Sequence, residues 1–183
     1  MSKYPDIQKK IKSELLEHNL TLDTPLTPDT LDSLVYIECV IKEVLRFAPI
    51  IAVLGRQATR DDTIDGIEVK KGDIVVLAIQ NLHRDPRYLK IDPSQFVPER
   101  FLHEDKNSPH CAFIPFGGGY RACAGQDLAF LELKTIITRL MQRVTFLDPG
   151  EEANNSGGLF QRITCFPKHF AVRVHFDQDK TMV

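Results

Sequence analysis

The chain has 183 residues, a formal net charge of −2 and 43% hydrophobic residues, enough apolar chain for one core of ordinary globular size. Near-neutral charge with no basic tract gives no electrostatic case for nucleic acid, and no apolar run approaches the roughly 20 residues of a membrane-spanning helix. Four scattered cysteines, Cys39, Cys111, Cys123 and Cys165, lack a C-x-x-C pair or an H-x-x-x-H partner, which speaks against a zinc site and a disulfide framework and fits a reducing, cytosol-facing setting.

Ile7, Ile11 and Leu15 recur at i, i+4 and i+8, so the chain opens on an amphipathic helix started by Tyr4-Pro5-Asp6 and ended near His18-Asn19. Lys9, Lys10, Lys12 and Glu14 lie on its other face, read as solvated. Residues 21–30 read as a loop with capping chemistry for a second helix over 31–47, whose apolar face is Leu34, Ile37, Ile41, Val44 and Leu45. Near its end Glu43 and Arg46 stand three apart on one face, able to pair with each other or with a third group. Pro49 stops the helix. The apolar run Ile50, Ile51, Ala52, Val53 and Leu54 reads as a short core strand, with Arg56 and Arg60 beyond it.

Residues 63–79 alternate and turn like a small sheet, with hairpin chemistry at Asp65-Gly66 and a turn at Lys71-Gly72-Asp73. Residues 81–86 read as coil in which His83 is a hydrogen-bonding or surface residue, not a ligand. Residues 103–111 are polar and read as a surface loop. Leu133, Ile136, Ile137, Leu140 and Met141 trace a long helix. Residues 148–158 read as a loop, and 170–176 alternate as a terminal strand.

Just before the long helix lies Phe116-Gly117-Gly118-Gly119-Tyr120-Arg121-Ala122-Cys123-Ala124-Gly125. Three glycines let the backbone turn tightly and approach a flat, bulky partner, with no Cβ in the way. The unpaired N–H groups and positive dipole end of the following helix favour negative charge beside Cys123. Arg121 adds a cation two residues away. A buried, inert thiol beside a glycine turn is the plainer reading; a metal-holding thiolate is the sharper one.

The decapeptide matches F-x-x-G-x-R-x-C-x-G at Phe116, Gly119, Arg121, Cys123 and Gly125, and so resembles the haem-ligand loop of the cytochrome P450 family, the haem-thiolate monooxygenases. Glu43-Val44-Leu45-Arg46 is similar to the family's E-x-x-R, and Phe96-Val97-Pro98-Glu99-Arg100-Phe101 to its F-x-P-E-R-F, in the right order. The resemblance implies a mainly helical α+β fold, the C-terminal part of the P450 fold, with small β-sheets, a meander and a haem-ligand loop before a long helix. Residues 1–183 would be the C-terminal portion of a single domain, without its upstream membrane anchor and oxygen-activating helix. The family's A/G-G-x-x-T pattern for oxygen activation does not occur in the chain.

By the same resemblance Cys123 is the axial thiolate of haem b (iron protoporphyrin IX), Phe116, Gly119, Arg121 and Gly125 surround the cofactor, and Arg56 meets a propionate, with Arg60 a nearby competitor. Glu43, Arg46 and Arg100 form a structural clamp, two guanidiniums on one carboxylate. Ile50, Ile51, Ala52, Val53 and Leu54 border the substrate pocket, which Leu159 and Phe160 reach from a turn. The implied activity is hydroxylation of a hydrophobic small molecule with dioxygen and electrons from an NADPH-dependent reductase, with a cytochrome b-type donor as a second source. The parent would sit on the cytosolic face of the endoplasmic reticulum membrane. A haem-thiolate isomerase or dehydratase is the alternative within enzymes. The third reading is a non-catalytic truncated product, since the chain alone is expected to be inactive.

Overall fold

The computed structural model describes residues 1–151, 153–154, 156–162 and 164–177. The first helix, α1, runs Pro5–Glu17 with proline in its first turn, where a missing N–H costs nothing, and Asp6 at the positive dipole end. It stops in a left-handed cap at Asn19 (φ 52°), with Asn19 N donating to the Leu16 carbonyl and Leu20 N to that of Leu15, both at 2.9 Å. Leu20 thereby enters the core.

The helix expected over 31–47 is two helices. α2 (Pro28–Asp32) takes its N-cap from Thr27, whose hydroxyl accepts the Thr30 amide at 3.2 Å. The chain then breaks at Ser33-Leu34, where the Ser33 hydroxyl donates to the Thr30 carbonyl at 2.7 Å. α3 (Val35–Phe47) has no N-cap side chain of its own. Its first turn is capped from α1, because the Glu14 carboxylate accepts the amides of Tyr36 (2.6 Å) and Ile37 (2.9 Å). Glu14 is thus a buried-side cap rather than part of a solvated face. Lys10 and Lys12 are also engaged, with Glu99 and Asp177, both at 2.5 Å.

Ile11, Leu15, Leu34, Ile37 and Ile41 pack α1 against α3, and Met141 adds α5 (Gln126–Met141) to the same core. Val44, expected on the inner face, is 47% exposed. The apolar stripe expected on α5 divides: Leu133, Ile137 and Met141 face the core, whereas Ile136 and Leu140 are exposed with Leu128 and Leu131. The inward face of α5 also carries Lys134, which reaches Glu38 of α3 at 2.8 Å and Asp32 of α2 at 3.5 Å. Burial would raise the Glu38 carboxyl, but its bonds to Lys134 and Lys42 hold it below its ordinary value.

Among the described residues the strands form four antiparallel pairs. β1 (Leu54–Gln57) pairs with β4 (Ile74–Leu77), and β2 (Asp62–Ile64) with β3 (Ile67–Val69) across the Asp65-Gly66 turn, where both residues have positive φ. The apolar run 50–54 is therefore strand only at Leu54; Ile50–Val53 are irregular. A short α4 (Ile79–Leu82) follows β4. β5 (Val144–Leu147) pairs with β8 (Arg173–Phe176), and β6 (Gly157–Gln161) with β7 (Cys165–His169). Leu159 and Phe160 thus lie within a strand, not in a turn. Among the described residues no helix is long and apolar enough to cross a membrane.

Candidate functional site

α3 ends on the most buried charges of the molecule. Arg46 folds back on Glu43, donating from Nε to Oε2 (2.8 Å) and from Nη2 to Oε1 (2.9 Å), the two-pronged contact that i, i+3 spacing on a helix permits. The 3-10 turn Pro98–Phe101 brings Arg100 to the same carboxylate, with Nε at 3.2 and 3.1 Å from its two oxygens. Val97 N adds a bond at 2.8 Å. Glu43 and Arg100 are 0% exposed and Arg46 1%, so these are charges removed from water, tolerable only because nearly every donor is used. Arg46 spends its remaining donors on the carbonyls of His83, Pro93 and Gln95. Arg100 spends its own on Ile91, Asp92 and Gln95.

The cluster has a fourth charged member that the sequence reading placed in a surface loop. Asp105 is 4% exposed, accepts Arg100 Nη1 at 2.8 Å and accepts the Lys90 amide at 2.7 Å. With it the group balances two guanidiniums against two carboxylates. Nothing in the spacing of Asp105 announces the contact, because residues 101–105 turn irregularly before reaching Arg100.

His83 is a second residue whose placement the sequence left open. Its side chain is 1% exposed, and Nε2 accepts the Ile114 amide at 3.0 Å. Burial pushes this imidazole down to about 4; the Leu45 carbonyl pulls the other way, and the Arg46 charge adds to burial. The ring is therefore neutral near pH 7, as an acceptor nitrogen must be.

From Ile114 the chain enters the glycine turn. Gly117 N donates to the Ile114 carbonyl (2.9 Å), and Cys123 N donates back to the Phe116 carbonyl (2.9 Å), closing the decapeptide on itself. Gly117 and Gly119 adopt φ of 74° and 67°, a region that favours glycine. Gly125 is the N-cap residue of α5, so Cys123 stands two residues ahead of the cap, and its carbonyl accepts the Gln126 amide at 3.4 Å. Phe116 anchors the turn to the core through Phe130, ring centroids 5.6 Å apart. Residues 118–128 are all exposed, Cys123 among them; the plainer reading of a buried inert thiol describes Cys39 instead, whose thiol burial pushes up to about 11.

One other predicted stretch comes to this loop, and a second is tied to that stretch. Leu54 Cδ2 lies 3.7 Å from where a Cβ would stand on Gly117, which sets β1 beside the turn. Cys165 N donates to the Ile50 carbonyl at 2.8 Å, which ties the β6–β7 hairpin carrying Leu159 and Phe160 to the 50–54 run. Ile50, Val53, Leu159 and Phe160 are about half exposed, Ile51 is intermediate and Ala52 is buried. On β1, Arg56 donates to the Gly55 carbonyl at 3.0 Å and pairs with no carboxylate among the described residues; nor does Arg121. Arg60 differs, lying 3.9 Å from Asp62 in an exposed pair. No group of three or more histidine, cysteine or carboxylate side chains among the described residues is arranged to hold a metal ion.

Known proteins are similar to this chain along most of its length. The Cytochrome P450 family model matches residues 1–172. Human Cytochrome P450 4V2 is 40% identical over 139 residues, 75% of this chain and 26% of the relative's length. Mouse Cytochrome P450 3A25 is 36% identical over 153 residues, 83% of this chain and 30% of the relative. The solved structure of retinoic acid-bound cyanobacterial CYP120A1 superposes with a TM-score of 0.83 at 33% identity, covering 96% of this chain and 40% of that one. The chain thus spans between a quarter and a third of the length of the curated relatives it matches. Because the match takes in the buried Glu43–Arg46–Arg100 cluster and the cysteine turn together, and runs through almost every described element, the chain belongs to the cytochrome P450 family.

Proposed function

We propose that this chain supplies the thiolate side of a haem-thiolate monooxygenase, with Cys123 as the residue that would hold the haem iron. The observation that carries the reading is the setting of Cys123: an exposed thiol between a glycine turn and the N-terminus of α5, with Arg121 and Arg56 unpaired by any described carboxylate. The residues present fit the group. A Cβ added at Gly118 or Gly119 would meet nothing within 4 Å, so the space beside this backbone is open to a bulky partner. A Cβ at Gly125 would stand 3.8 Å from Cys123 Sγ, so glycine there leaves that flank of the sulfur open.

Arg121 and Arg56 neutralise propionates in this reading, Phe116 shields the sulfur side from water, and Glu43, Arg46 and Arg100 hold the backbone that delivers the loop. When bound, a haem with a thiolate ligand supplies dioxygen activation, since electron donation from sulfur favours O–O cleavage. Ile50, Ile51, Val53, Leu54, Leu159 and Phe160 are apolar and at least partly exposed, which suits a hydrophobic substrate in this reading, while Ala52 is buried. Retinoic acid, bound in the cyanobacterial relative, belongs to that class of ligand.

The short span relative to the curated proteins supports reading residues 1–183 as the C-terminal portion of a longer domain. Dioxygen-activating residues would then come from elsewhere in the parent, and the chain alone would not turn over. Electrons come from an NADPH-dependent reductase, with a cytochrome b-type donor as a second source, and the parent sits on the endoplasmic reticulum membrane. The unbroken F-x-x-G-x-R-x-C-x-G pattern favours this reading over an isomerase or dehydratase. The test is spectroscopic. The longest polypeptide containing this chain, loaded with haem, reduced and given carbon monoxide, is expected to show the red-shifted Soret band of thiolate-ligated haem. Cys123→Ala is expected to lose it, and a variant that keeps the band refutes the ligand assignment.

A further inference from the structure

We propose that His83 is a positioning residue for the cysteine turn, holding the Ile114 amide and through it setting where the Cys123 backbone sits. The inference rests on the reading of Cys123 as the haem ligand. Its geometric basis is a continuous line of bonds from the buried charges to the cysteine. Arg46, fixed by Glu43, donates to the His83 carbonyl at 3.1 Å. The His83 amide donates to the Ile79 carbonyl at 2.9 Å, so the backbone of this residue is held on both sides. Its ring packs on Phe113 with centroids 5.2 Å apart, and Nε2 accepts the Ile114 amide. The Ile114 carbonyl then takes Gly117 N, and the Phe116 carbonyl takes Cys123 N.

The Ile114 amide needs such a partner. It lies between the 3-10 turn His110–Ala112 and Pro115, in a segment with no helix or strand to supply an acceptor. A backbone N–H left unpaired away from water is costly, and here it opens the first bond of the glycine turn. The acceptor comes from a side chain 31 residues earlier, so the turn is fixed relative to the Glu43–Arg46–Arg100 cluster rather than only to its own neighbours. Packing alone would not need a nitrogen at this point; Leu would fill the space.

The test compares His83→Leu, which keeps bulk and removes the acceptor, with His83→Gln, whose Oε1 can accept in place of Nε2. Amide hydrogen exchange is followed on the full 183-residue chain without haem. In His83→Leu the amides of Ile114, Gly117 and Cys123 are expected to exchange at least about tenfold faster, while those of Ile41 to Leu45 keep their rates. His83→Gln is expected to restore most of the protection. With haem bound, the Leu variant is expected to lose part of its thiolate Soret band and the Gln variant to keep it. Acceleration confined to Ile114, or a Gln variant as unprotected as the Leu variant, overturns the proposal. Should His83→Leu not fold, His83→Gln decides: protection within about threefold of wild type at all three amides supports the proposal, and its loss overturns it. A wild-type holoprotein without a thiolate band would sink the haem reading and leave the exchange result standing.

Discussion

Glu43→Ala removes the two oxygens on which the buried cluster converges. In the wild type they accept Arg46 Nε and Nη2 at 2.8 and 2.9 Å, Arg100 Nε at 3.1–3.2 Å and Val97 N at 2.8 Å. The variant strands two guanidiniums that are 1% and 0% exposed, leaving only Asp105, which reaches Arg100 and not Arg46. Truncating one partner of a buried ion pair costs about 3–5 kcal/mol, much of it the unmatched charge left behind. Orphaning the Val97 amide adds about 1–3 kcal/mol. A domain holds only about 5–15 kcal/mol in total, so a large share of that stability goes with one carboxylate. Urea unfolding followed by far-ultraviolet circular dichroism measures the loss. Lys9→Ala is the control, because its pair with Asp6 is 76% and 81% exposed and is expected to leave the midpoint unchanged. A Glu43→Ala chain destabilised by less than about 1 kcal/mol would refute the reasoning, since the stranded charges would then have found water or other carbonyls at little cost.

His83 gives a pH dependence of definite sign. Its imidazole is held down to about 4 in the folded chain, against an ordinary value of 6.5. Between those values the unfolded chain binds the extra proton, so stability falls as pH drops from about 6.5 to about 4, by on the order of 3 kcal/mol. His83→Gln is expected to flatten that limb of the stability profile, and an unchanged slope would show that other groups govern it. Cysteine alkylation supplies a separate check: iodoacetamide at pH 8 should modify the exposed Cys111 and Cys123 well before Cys39, whose buried thiol is pushed up to about 11. Equal labelling of all three would contradict the burial assigned to Cys39.

What could be read from the sequence was local. Asp65-Gly66 demands positive φ at two successive residues, and the hairpin between β2 and β3 is there. Glu43 and Arg46 had to share a helix face, whereas Arg100 as their third partner came only from the family resemblance. What escaped were contacts made at a distance by side chains with no periodic signature. Glu14 looked like one more charge on a solvated face, yet it caps a helix 22 residues away. Ser33-Leu34 breaks a helix whose apolar spacing runs straight through the break. Asp105 sits in a polar stretch that composition alone assigns to the surface. The stripe on α5 was legible as helical but not as two faces, because a period of 3.6 does not say which neighbours each side meets.

The two arginines of the buried cluster reach five different main-chain carbonyls, those of His83, Ile91, Asp92, Pro93 and Gln95. Every amino acid carries that acceptor. At these five points the two arginines read the path of the chain and not the identity of its side chains. Substitutions at a residue such as Ile91 can be absorbed as long as the carbonyl still points inward, while a change at Arg46 or Arg100 withdraws support from several residues at once. Mutational tolerance should be uneven, strict at the two residues that grip and more permissive at gripped residues, such as Ile91, for which the carbonyl is the contact that matters.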